Sequence, residues 1–224
     1  GTRRFTLANA MKSLETFFRG KSILITGHSG FKGSWLTLML HTLGAKIVGL
    51  SLDEGLPGGL YRYIPNTIYK GEHFFNISNI NELRPIIERY EFDLVFHLAA
   101  QTSVLESVQK PFQTWNSNFI GTLYLLETLF KGEIGIPTVV VTTDKVYKNL
   151  GSSDPFYESW QIEGSEPYSQ SKAAVELLIQ SFRKSNQEFL YRRVATARAG
   201  NVIGGGDWSK NRLVPDIYRS LIHG

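Results

Sequence analysis

Ile23-Leu24-Ile25-Thr26-Gly27-His28-Ser29-Gly30-Phe31-Lys32-Gly33 runs a buried-strand pattern straight into a glycine turn, and the turn into a helix. The helix shows in the apolar stripe Trp35, Leu36, Met39, Leu40 and Leu43, after which Gly44 has the position of a C-terminal cap. A strand, a glycine turn and a helix in that order form the context in which backbone groups take a phosphate. The glycines allow the tight turn, close approach of backbone to an anion and close helix packing, while the helix N-terminus favours negative charge. Gly27, His28, Gly30, Phe31, Lys32 and Gly33 are therefore expected at a nucleotide site.

Outward from this unit, short apolar runs alternate with helical periodicities. Strands are expected near Ser22 to Thr26, Lys46 to Leu50, His73 to Phe75, Leu94 to Leu98, Thr138 to Thr142 and Ala195 to Ala199. That alternation predicts an α/β fold: a Rossmann-type doubly wound parallel sheet with helices on both faces. Leu7, Met11, Leu14 and Phe18 predict an amphipathic helix over residues 1–20, docked on the main domain. Asn79 or Ser78 should cap the helix carrying Leu83, Ile86 and Ile87. Asp53 to Tyr69 and Asn149 to Glu166 read as long loops, the second placed to cover a site.

Composition excludes several classes. The 224 residues, 42% hydrophobic and 12% aromatic, suffice for a full core. Without cysteine there is neither a disulfide framework nor a thiolate metal site, and the five histidines show no ligand spacing, so no metal is expected. No apolar run reaches the roughly 18 residues of a membrane span. Behind Arg3 and Arg4, polar Thr6, Asn9, Lys12 and Ser13 interrupt any signal-peptide core, which makes a cytoplasmic enzyme the simplest reading. The net charge of +4 is dispersed, which fits an anionic small ligand and no nucleic acid.

Tyr168-Ser-Gln-Ser-Lys172 follows Thr143 by 25 residues. A tyrosine and a lysine four apart share a helix face, where the ammonium can lower the phenol pKa, and Thr143 can hold a substrate alcohol beside them. Together they can take a proton from an alcohol while a nicotinamide takes the hydride. Alone, the pair reads as a solvent-facing pair on an amphipathic helix; the glycine turn changes that.

The spacing Gly27-x-x-Gly30-x-x-Gly33 resembles the extended branch of the short-chain dehydrogenase/reductase superfamily, as does His97-Leu98-Ala99-Ala100-Gln101. The resemblance implies NAD as cofactor. Asp53, 20 residues beyond Gly33, then accepts from the adenosine ribose and repels a 2'-phosphate, or else is a plain turn former. It further implies cofactor contacts from Leu98, Ala99, Ala100, Gln101, Thr142, Tyr168 and Lys172. Asn118 braces the central strands, unless it is a mid-helix surface residue. Asn76-Ile77 stands where many relatives carry an aspartate at the adenine.

Val141-Thr-Thr-Asp-Lys-Val-Tyr147 resembles the sugar-nucleotide 4,6-dehydratases. By that resemblance Thr143 orients the sugar hydroxyl and Asp144 protonates the departing C6 hydroxyl. Lys145 replaces the usual glutamate, and Asp-Lys here is similar to the CDP-glucose 4,6-dehydratases. So are the run Thr26 to Trp35 and Arg198-Ala-Gly-Asn-Val-Ile-Gly-Gly-Gly-Asp-Trp208 with Arg212-Leu-Val-Pro-Asp216. Lys145 polarises an enolate, acts as the C5 base, or is structural and paired with a carboxylate. Asn201 and Arg212 are implied to line the nucleotide-sugar pocket, CDP-glucose being the favoured substrate. Gly204 to Gly206 is a close-approach loop or a plain turn, and Trp208 stacks on a base or packs.

The domains expected are residues 1–20 as extension, 21–200 as NAD-binding domain and 201–224 as the start of a substrate-binding region, most of which the chain lacks, so that activity can require more. Leu123, Leu125, Leu126 and Leu129 offer either core or the face of a homodimer. The competing functions are a sugar-nucleotide 4-epimerase, another oxidoreductase of the same branch, and an NAD-sensing protein without turnover.

Overall fold

The structure, a computed structural model, describes residues 7–130, 135–149, 151, 154–184 and 193–223. The leading Arg3, Arg4 and Thr6 and the terminal Gly224 lie outside them. Six parallel strands form one sheet: β1 (Ser22–Thr26), β2 (Lys46–Ser51), β3 (Tyr69–Phe74), β4 (Leu94–His97), β5 (Thr138–Thr143) and β6 (Val194–Ala199), in the order β3-β2-β1-β4-β5-β6. The order reverses between β1 and β4, which opens a crevice at the carboxyl ends of those strands, where open α/β sheets bind ligands.

Alternation along the strands sends side chains to two cores. Leu24, Val48, Leu50 and Val95 pack with α3 (Ile80–Arg89), α6 (Gly121–Leu129) and α7 (Pro167–Lys184). Ile23, Ile25 and Ile47 pack on the other side with Leu40 and Leu43, on and just after α2 (Phe31–Thr42), and with Phe18 of α1 (Leu7–Phe18). Both faces are therefore covered, and the central strands are apolar on both, as the sequence required. Leu125, Leu126 and Leu129 are core, so those three give no face to a second copy.

Departures from expectation have local causes. β3 begins at Tyr69, four residues earlier than the sequence suggests, because it is an edge strand whose half-buried residues carry no apolar run. The loop before it is broken by 3-10 turns at Leu60–Tyr63 and Asn66–Ile68. Among the described side chains of α1, Phe18 is buried while Met11 and Leu14 stay exposed; that of Leu7 lies outside them. Caps fall where expected. Gly44, at φ +82°, ends α2, its N–H donating to His41 O, and Asn79 caps α3 by accepting from Asn81 N.

Candidate active site

The glycine turn is packed as a phosphate cradle must be. A Cβ at Gly33 would lie 2.0 Å from Gly27 O, and one at Gly27 would lie 2.7 Å from Ala99 N, so neither position admits a side chain. Gly27 also sits at φ +76°. A cleft of about 440 Å³ opens over this turn and the N-terminus of α2. Its walls include Gly30, Phe31, Lys32 and Asp53 on one side and Asn76, Ile77 and Leu98 to Gln101 on the other. Asp53 keeps a carboxylate oxygen on Gly55 N, a turn-forming contact, while facing the cleft.

His28 is the exception among the turn residues. Its ring is buried away from the cleft, with Nδ1 2.9 Å from Ser51 Oγ and Nε2 3.0 Å from Glu72 Oε1. Tyr61 donates to the same carboxylate oxygen at 2.8 Å, and His28 lies edge-on to Tyr61 and Tyr69. Burial lowers the His28 pKa. The residue thus secures the turn to β2 and β3 from behind. Sequence offers no signal for that partner, 44 residues away.

A second cavity, about 220 Å³, adjoins the first and is lined by Thr142, Thr143, Lys145, Tyr168, Asn201 and Arg212. Of the residues read as catalytic and substrate-binding, Thr143, Lys145, Tyr168, Asn201 and Arg212 therefore meet in one place, with Asp144 next door and Lys172 buried outside the lining. Thr143 donates to Asp144 Oδ1 at 3.1 Å, and Asp144 lines a third cavity that shares Lys145 with the second. Lys145 is in no ion pair among the described residues, which leaves the paired structural role without support. Thr142 turns from the cavity to donate to Glu176 at 2.6 Å.

Tyr168 stands at the start of α7, and Lys172 one turn on is buried with Nζ donating to Val141 O at 3.2 Å. Burial lowers Lys172 to about 8, with the charge of Lys32 acting the same way and Glu176 opposing. Burial also raises the Tyr168 phenol, against the downward pull of a hydrogen bond with Thr143 and the charge of Arg212. The expected lowering by Lys172 does not act on this phenol, which burial raises: the ammonium is directed at Val141 O within β5, and only Thr143 and Arg212 oppose the rise.

Two groupings were not read from the sequence. Glu176, on the same face of α7 one turn past Lys172, is held by Arg198 through a pair of 3.0 Å bonds, and Arg198 in turn lies 4.8 Å over the Tyr147 ring. The i, i+4 spacing from Lys172 was the available signal. The other is a polar chain behind the site. Ala99 N donates to Thr26 Oγ1 at 3.2 Å, Thr26 Oγ1 lies 2.6 Å from His97 Nδ1, and His97 Nε2 lies 2.8 Å from Thr122 Oγ1. Thr122 donates onward to Asn118 O, so His97 must carry its proton on Nε2. Asn118 accepts from Gln101 N and donates to Gln101 O and Ser171 Oγ, and Ser171 donates to Tyr168 O. Asn118 is fully buried in a π turn, Asn116–Ile120, between α5 (Pro111–Trp115) and α6, which makes it a brace and not a surface residue.

The segment from Asn201 onward serves both cavities. Gly206, Asp207, Trp208 and Arg212 line the cleft as well, and Trp35 Nε1 donates to Gly205 O at 2.9 Å. A Cβ at Gly206 would lie 2.6 Å from Leu60 Cβ, which makes this glycine run a close-approach loop. Trp208 packs edge-on to Tyr218 while facing the cleft. No helix among the described residues is long and apolar enough to cross a membrane, and no group of His, Asp and Glu there could hold a metal.

Residues 23–224 match the NAD dependent epimerase/dehydratase family. The chain is 41% identical over 213 residues to the CDP-glucose 4,6-dehydratase of Salmonella typhimurium, covering 92% of this chain and 59% of that protein. Among solved structures, an epimerase from Methanothermobacter thermautotrophicus superposes with a TM-score of 0.81 at 27% identity, covering 97% of this chain and 63% of the other. The dTDP-glucose 4,6-dehydratase of Bacillus anthracis, in complex with NAD, gives 0.76 at 25%, covering 92% and 62%. The chain thus spans about three-fifths of the length of these relatives.

Proposed function

Because the chain belongs to the NAD dependent epimerase/dehydratase family, we propose that its protein dehydrates a nucleotide-activated hexose, CDP-glucose, to the 4-keto-6-deoxy derivative. The observation that carries this is the meeting of Thr143, Lys145, Tyr168, Asn201 and Arg212 in one cavity beside the glycine cleft, with Asp144 adjoining. The identity to a CDP-glucose 4,6-dehydratase supports the choice of nucleotide. In this reading residues 21–200 hold the cofactor, and the segment from 201 begins the substrate-binding region while also walling the cleft.

The cleft fits NAD in shape and in donors: a turn no Cβ can enter, a helix N-terminus and a carboxylate at Asp53 for a ribose. Bound there, NAD supplies the hydride acceptor for C4 and the hydride donor for C6. Tyr168 takes the C4 hydroxyl proton, Thr143 aligns that hydroxyl, and Arg212 meets the diphosphate. The ketone at C4 acidifies C5–H. Lys145, which lines the same cavity, takes up that proton or stabilises the enolate, and Asp144 protonates the C6 hydroxyl as it leaves as water.

Incubating the complete protein with CDP-glucose and NAD should give a product lighter by one water in mass spectrometry. Asp144→Asn should cut dehydration by about a hundredfold or more, the usual range for a lost general acid. C4 oxidation should persist. Undiminished water loss in that variant would remove Asp144 from the acid role, and absence of water loss in the complete wild-type protein would move the assignment to a 4-epimerase or another oxidoreductase of the family.

A further inference from the structure

One carboxylate reaches both ends of the segment that carries Asp144 and Lys145. Glu176 of α7 accepts from Thr142 Oγ1 at 2.6 Å and from Arg198 Nε and Nη2 at 3.0 Å each. Thr142, on β5, faces Arg198 across the β5–β6 ladder, so helix and sheet are tied at one point. The Arg198 guanidinium then reaches further. Its Nη1 donates to Glu158 O at 3.0 Å, and it lies 4.8 Å over the Tyr147 ring. Phe156 stacks on that ring, with centroids 4.9 Å apart and 15° between the planes. Backbone bonds from Lys148 N to Gln161 O and from Glu163 N to Val146 O, both 2.8 Å, fasten the covering loop to the same place.

Between Thr142 and Tyr147 the chain changes its support. Thr143 is still paired with Ala199 in the sheet, but Asp144–Val146 is a single 3-10 turn beyond the ladder. That turn hangs between the strand end behind it and Tyr147 ahead. The Glu176 and Arg198 side chains are only 3% and 13% exposed, and a buried pair of this kind often adds little net stability over apolar residues of the same volume. What its forked, planar contact does supply is orientation. Resting on the proposed dehydration, we propose that Arg198 and Tyr147 are positioning residues for the loss of water: the guanidinium, oriented by Glu176, holds the far end of the turn and so aims Asp144 and Lys145 at C6 and C5. Oxidation at C4 relies instead on Tyr168 and Thr143, which α7 and the sheet hold directly.

The test separates the two steps in the complete protein, supplied with CDP-glucose and NAD. Water loss is followed by mass spectrometry, and enzyme-bound reduced nicotinamide by its absorbance during turnover. Glu176 is left intact, since its charge also acts on Lys172. Arg198→Lys, which keeps the charge without the fork, and Tyr147→Leu should each slow water loss by about ten- to a hundredfold, the scale of a small misplacement of reacting groups. The bound reduced fraction should rise in both, because oxidation continues while elimination lags. Tyr147→Phe, which keeps a ring face under the guanidinium, should rescue both readouts. Water loss and reduced fraction falling together, or a lower urea midpoint with wild-type turnover, would make the cluster a structural support and overturn the proposal. If Arg198→Lys does not fold, the Tyr147 variants decide alone. A wild type that forms reduced nicotinamide but loses no water would overturn the dehydration reading itself, a result distinct from normal dehydration that the variants leave unchanged.

Discussion

His97 is fully buried between two threonine hydroxyls, and burial holds its pKa down at about 3, with the charge of Lys172 adding to the effect. An unfolded histidine titrates near 6.5, so below that pH the unfolded chain binds a proton that the fold refuses. Stability is therefore intact above pH 6.5 and is lost as pH falls from 6.5 toward 3, by about 1.4 kcal/mol per unit from this residue. His28 and His73, also lowered by burial, add slope of the same sign. Urea midpoints measured from pH 7 to pH 4 should drop accordingly, and His97→Asn should flatten the slope; an unchanged slope would show that His97 is not the proton acceptor. The sequence placed His97 beside the cofactor strand but not this role, because its partners Thr26 and Thr122 lie 71 and 25 residues away and only the sheet brings them together. Tyr168 and Lys172 were legible for the opposite reason, being one helical turn apart.

Helix α7 is set at its start by Glu166, whose carboxylate accepts from Tyr168 N at 2.7 Å and Ser169 N at 3.1 Å while Ser169 Oγ accepts from Ser165 N and Glu166 N. This reciprocal cap fixes the turn from which Tyr168 projects. Glu166→Ala should cost about 1 kcal/mol in urea unfolding and lower kcat more than it raises KM, since the phenol loses its placement and not its chemistry. A purely thermodynamic loss with wild-type kcat would separate the cap from the site. Elements with strong periods, the central strands and α2, were legible because both faces of the sheet demand apolar runs. The edge strand β3, Tyr69–Phe74, was read only at its end and the π turn at Asn116–Ile120 not at all, since neither leaves a period in the sequence.

Across the molecule, the segment Gly204 to Arg212 returns to the first third of the chain and closes one wall of the cleft, tied by Trp35 to Gly205 and packed on Leu60. Amide hydrogen exchange over 204–212 should slow when NAD is added to the complete protein; exchange that ignores NAD would remove this segment from the cofactor site. The same wall joins the glycine cleft and the cavity of Thr143 and Tyr168 through Arg212, so loading of one is expected to order the other. The buried chain from Ala99 through Thr26, His97, Thr122 and Asn118 to Ser171 has a further consequence, for inheritance. Every donor in it faces an acceptor in a single direction, so exchanging Thr26, His97 or Thr122 for an apolar residue strands its neighbours. Thr122 meets the backbone oxygen of residue 118, which any residue supplies, so the positions whose descendants must change together are 26, 97 and 122.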